Sequence, residues 1–144
     1  MKRFVMLIIW IIVAVSMFTG CDDAQKIKLP DVILSTDTFQ ITVPDELYNK
    51  IDVSTEYNSI HIHHKASQEA GYLGHIVSIN VFSTVIFKEI PCYELICESD
   101  GEFYVAEYPS DVQADAENEQ TMKEYFEIFE QMPEIIKNTF EIIK

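Results

Sequence analysis

Three features of the sequence predict an α+β fold, an antiparallel sheet of about five to seven strands with a long C-terminal helix packed on one face. Short runs of alternating apolar and polar residues recur between residues 38 and 108, which is the period of half-buried strands. Ser99-Asp100-Gly101 sits between two such runs as a hairpin turn would. Beyond residue 113 the apolar spacing lengthens to that of a helix, and strands followed by one helix imply a sheet covered on one side.

The elements follow in order. Phe39, Ile41 and Val43 alternate with polar neighbours and stop at Pro44, after which Asp45-Glu46-Leu47-Tyr48 reads as a short helical turn. Ile51-Asp52-Val53 opens a second strand, and Ser59-Ile60-His61-Ile62-His63 is a third with Ile60 and Ile62 inward. Residues 65–74 read as a polar loop, and residues 75–82 as a strand with Val77, Ile79 and Val81 on one face. Val85-Ile86-Phe87 is apolar but too short to assign. Residues 93–98 and 103–108 form the hairpin around residues 99–101. In the closing helix Met122, Phe126, Phe129, Ile136 and Phe140 lie near heptad spacing, widened by Tyr125, Met132 and Ile135. Asp115 suits its N-cap, and Pro133, lacking an N–H, is expected to kink or split it near residues 129–133.

The chain's 144 residues carry 24 Asp and Glu against 10 Lys and Arg, a formal charge of −14. That length suits one domain, and a 48% hydrophobic content excludes a disordered chain. The acidity argues against nucleic acid, which is bound through Lys and Arg.

The first residues read as an address. Met1-Lys2-Arg3 is cationic, and residues 4–18 are apolar apart from Ser16. Fifteen residues fall short of the roughly 20 needed to cross a bilayer as a helix, and the small pair Thr19-Gly20 ends the run as in a secretory signal peptide. Phe18-Thr19-Gly20-Cys21 resembles the lipobox of bacterial lipoproteins, with Phe18 in place of the usual aliphatic residue. The resemblance implies cleavage between Gly20 and Cys21 and a diacylglyceryl group on Cys21. It further implies the extracytoplasmic face of the cell membrane, and Asp22 is read in a Gram-positive setting. An uncleaved anchor helix, or a secreted chain with an incidental Cys21, is the competing reading.

The expected organisation is therefore a leader over residues 1–20, a lipidated Cys21 and tether over 21–36, and one α+β domain over 37–144. Cleavage removes Lys2 and Arg3 and none of the 24 acids, taking the formal charge from −14 to −16. Anionic headgroups repel such a domain within a Debye length of about 8 Å, so lipid must hold it at the surface.

Two further resemblances bear on fold and location. A strand running into Val43-Pro44, a short turn, a meander and a closing helix resemble the PsbP/Mog1-like α/β/α sandwich architecture. His64-Lys65-Ala66-Ser67, Glu69-Ala70-Gly71 and the run from Tyr108-Pro109 to Val112-Gln113 are similar to those of small Gram-positive lipoproteins. That family has no assigned chemistry, so the likeness implies location and architecture alone.

Candidate chemistry is sparse. His61 and His63 share a strand face at a spacing that metal sites use. His64 has the opposite parity and is expected to share the other face with His75, which is in phase with Val77. A two-and-two division disfavours a metal site on His61, His63, His64 and His75, even with Asp52 as a further ligand. Their plain reading is an exposed pair and a partly buried pair, and no cofactor is expected. Cys92 and Cys97 are five apart and of opposite parity, so an extended chain holds their α-carbons roughly 16 Å from each other, against a 7 Å limit for a disulfide. Two thiols packed as small apolar groups fit better than a redox or metal pair. The acids at 111, 115, 117 and 119 lack the glycine of a calcium loop and read as a solvated helix start. No nucleophile motif is present. Tyr72, Tyr93, Tyr104 and Tyr108 fit a ligand face or ordinary packing equally well.

The reading adopted is a lipid-anchored, non-catalytic binding or accessory module of the cell envelope with a protein partner there. An envelope enzyme and a metal-handling protein are the alternatives. A binding module is expected to expose an apolar patch on the sheet face that lacks the helix.

Overall fold

The computed structural model describes residues 31–143; the leader, Cys21 and residues 22–30 lie outside the described residues. In chain order the elements are β1 (Val32–Ser35), β2 (Phe39–Val43), α1 (Asp45–Tyr48), β3 (Ile51–Glu56), β4 (Ser59–His64), α2 (Lys65–Glu69), β5 (His75–Phe82), a 3-10 turn (Val85–Glu89), β6 (Tyr93–Ser99), β7 (Glu102–Glu107), α3 (Glu119–Thr139) and β8 (Glu141–Ile142). The strands form two sheets, β1-β2-β8 and β3-β4-β5-β7-β6, and every pairing is antiparallel. This is the expected α+β class.

The core lies where the inward faces of the two sheets meet α3. Alternation puts Phe39, Ile41 and Val43 of β2 and Ile60 and Ile62 of β4 wholly inside. α3 contributes Tyr125, Ile128, Met132 and Ile136 and packs on β2 and β5. Phe39 joins the sheets, meeting Tyr104 of β7 edge-on at 5.9 Å and stacking on Phe140 at 5.5 Å. The end of α3 is tied to β2 where Thr139 Oγ1 accepts from the Thr42 N–H at 3.0 Å.

Local chemistry explains the turns. Asp100 and Gly101 have φ of 53° and 80° between paired Ser99 and Glu102, as a two-residue hairpin loop with two left-handed positions requires. Asn118 caps α3, its side-chain oxygen accepting from the Thr121 N–H at 3.1 Å.

Several expectations need correction. Val32–Ser35, read as tether, is a strand paired with β2, because Leu34 finds a place in the core. The polar loop begins with α2, whose Ser67 is fully buried. Asp115 is not the cap of α3; its carboxylate accepts from the Glu117 N–H just before the helix. Pro133 does not split α3, which runs unbroken to Thr139. Ile128 replaces Phe126 on the buried stripe, and Phe126 is exposed. Cys92 and Cys97, by contrast, are both free thiols as expected.

Candidate functional site

One face of the five-stranded sheet packs on the core, and its other face carries a polar half and an apolar half. The polar half is built on β3, β4 and β5. Register places Asp52, His63 and His75 in one row across three strands, and Ser54, His61, Ser78 and Glu107 in the next.

His75 sits in that row because of a bulge. Pairing runs Ile62 with Val77 and then His63 with His75, so Ile76 is an extra residue. Ile76 and Val77 are both fully buried. One inserted residue reverses the alternation of everything beyond it. His75 therefore joins His61 and His63, and the expected His64/His75 pairing is corrected to a division of three and one.

The imidazoles of His61 and His75 meet at Ser78, itself buried. Its hydroxyl lies 2.8 Å from His61 Nδ1 and 2.9 Å from His75 Nε2. Having a single hydrogen, it donates to one ring and accepts from the other while both are neutral. His63 Nδ1–H donates to the Leu73 carbonyl at 3.0 Å, and the His63 and His75 ring centres are 5.4 Å apart. Burial, then the neighbouring His63 and His61, hold the His75 imidazole below the usual histidine range. Beside this group Asn80 Nδ2 donates to Glu107 Oε1 at 2.6 Å.

The apolar half surrounds the 3-10 turn. Phe87 is buried there, with its ring 5.3 Å from both Tyr93 and Phe103 and 6.0 Å from Phe82. Around it Val85, Ile86, Tyr93 and Leu95 are exposed by 50, 58, 38 and 44%. β6 is a sheet edge, so its outer backbone groups are open to a further strand. The run Val85-Ile86-Phe87 was the sequence signal for this patch, legible as apolar but not as a lid over aromatic rings.

His64, on the other face, is fully buried. Its Nδ1 lies 2.7 Å from Ser67 Oγ and its Nε2 3.1 Å from Glu124 Oε1, whose other oxygen meets Lys50 Nζ at 3.0 Å. Burial pushes the Glu124 carboxyl up, but hydrogen bonds and charge from His64 and Lys50 outweigh it and leave the group below its usual range. Serine, histidine and glutamate in line suggest a nucleophile relay. Ser67 has no exposed surface, so the trio ties α2, β4 and α3 together instead.

A groove of about 250 Å³ lies near Lys50 and is lined by Pro44, Leu47, Glu127, Ile128 and Gln131. Ligand pockets usually hold about 300–1,000 Å³, so it is too small for a typical one. Among the tyrosines, Tyr104 is core, Tyr108 packs edge-on to Phe129, and Tyr72 donates to Asp115. Tyr93 alone of the four belongs to the open face.

Burial lifts the Cys97 thiol above its usual range, which makes it a poor nucleophile at neutral pH. Among the described residues no helix is long and apolar enough to cross a membrane, and no three donors already stand in metal-binding geometry. No family model, curated protein or solved structure matches the chain.

Proposed function

We propose that this chain is a lipid-anchored binding or accessory module on the extracytoplasmic face of the cell membrane, fastened through Cys21, and that it engages an envelope protein with the apolar half of its open sheet face. The observation carrying this reading is the group of Val85, Ile86, Tyr93 and Leu95, exposed at a sheet edge on the face without the helix. Isolated exposed apolar residues need no explanation, whereas several grouped on one surface mark an interaction site. The formal charge of −14 favours protein over anionic lipid as the partner. The lipobox-like Phe18-Thr19-Gly20-Cys21 supports the anchor.

Photocrosslinking in intact cells tests the surface. A photoreactive residue in place of Ile86 should give a discrete protein adduct, which Leu95→Glu reduces at least several-fold. The same probe at Glu130, exposed on α3, should give none. Equal labelling from both positions would contradict the assignment.

A further inference from the structure

We infer that His61, His63 and His75 form a binding site for one late transition-metal dication of the Zn²⁺ or Cu²⁺ class on the polar half of the open sheet face. This inference is independent of the protein-binding surface proposed above.

Imidazole is the preferred donor for these ions, and three protein donors leave a fourth position for water or a carboxylate. Here two donors lie two apart on β4 and the third comes from the neighbouring strand, brought into phase by the bulge at Ile76. A metal–nitrogen bond of about 2.0–2.1 Å puts the centres of two imidazoles on one tetrahedral ion roughly 5 Å apart. His63 and His75 stand at 5.4 Å, tilted by 45° rather than stacked.

Orientation agrees with spacing. Metal-bound histidines usually give their other ring N–H to a carbonyl, carboxylate or water, which fixes the tautomer. His63 does so through Nδ1 to the Leu73 carbonyl, leaving Nε2 as the free donor. His61 makes the equivalent bond through Nδ1 to Ser78. His75 Nε2 shares the same hydroxyl and must release it to reach the ion, so binding requires the rings to turn toward one another from an arrangement in which no three donors converge. Asp52, directly across from His63 on β3, is placed to supply a carboxylate in the fourth position. His64 faces the core and takes no part.

Dialysis of the full chain, kept in detergent, against Zn²⁺ and separately Cu²⁺ tests the site. One ion per chain is expected, with Co²⁺ giving the visible absorption of a four-coordinate ion. His63→Gln and His75→Gln should each lower affinity at least tenfold, and replacing all three histidines should abolish binding. A double Cys92→Ser, Cys97→Ser variant should bind like the parent. Glutamine keeps hydrogen-bonding capacity at these partly exposed positions, and a thermal melt without metal checks that each variant folds. Absence of stoichiometric binding by the parent would overturn the inference, as would unchanged affinity in either single histidine variant.

Discussion

At the residue scale, His75 and Gly74 show how little freedom the end of β4 leaves. His75 is held below its unfolded pKa of 6.5 by burial and by His63 and His61, so charging it costs more in the folded chain than in the unfolded one. Stability is therefore full above pH 6.5 and falls as pH drops from there to the lower folded value. Thermal melts of the metal-free protein should show Tm declining across that window, and His75→Gln should flatten the decline. Below the ordinary carboxylate value of 4.5 a second decline is expected. Glu124 has a depressed folded pKa, and its contribution is lost as pH falls through that value. Gly74 has a φ of +64°, and an added Cβ would lie 2.7 Å from the His64 carbonyl oxygen. That obstacle is backbone and cannot swing away, so Gly74→Ala should cost about 2 kcal/mol or more in denaturant unfolding.

At the element scale, periodicity was legible where an element obeys one period throughout. β2 and β4 alternate cleanly, and the Asp100-Gly101 turn states its own geometry. β5 does not, because Ile76 adds a residue that no local pattern marks, and the phase of His75 read from Val77 is inverted as a result. The same limit affected α3. A heptad reading centred on Phe126 drifts from the 3.6-residue stripe of Tyr125, Ile128, Met132 and Ile136, since seven residues fall short of two full turns. Pro133 costs one hydrogen bond, but the burial of Met132 and Ile136 on either side holds the helix in one piece. Asp115 and Asn118 are both acceptable caps by residue type, and their placement decided between them. Asn118→Ala should destabilise the protein by about 1 kcal/mol, measured by urea unfolding, and Asn118→Asp should recover most of the loss.

At the scale of the whole molecule, the sequence foretold an antiparallel α+β fold closed by a long C-terminal helix, and the structure has it. It did not foretell two sheets, because the pairing of β8 with β2 joins segments about a hundred residues apart and rests on two short strands. Nor could it bring His75 beside His61 and His63, or Phe87 among Phe82, Tyr93 and Phe103, since such groupings depend on register rather than spacing. The open face thus carries a polar half and an apolar half side by side, and a chain fastened by its N-terminus would hold both near the bilayer. Two or more acyl chains give lasting attachment where one gives only marginal binding, at about 0.8 kcal/mol per buried methylene. Cys21→Ala should therefore release the protein from membranes into the soluble fraction, as read by fractionation and blotting.

The most direct test of the account is the intact mass of the protein extracted from its native membranes. A polypeptide beginning at Cys21 and carrying a diacylglyceryl adduct is the expected result. A chain recovered from the cytosol with residues 1–20 still attached and no lipid would contradict it.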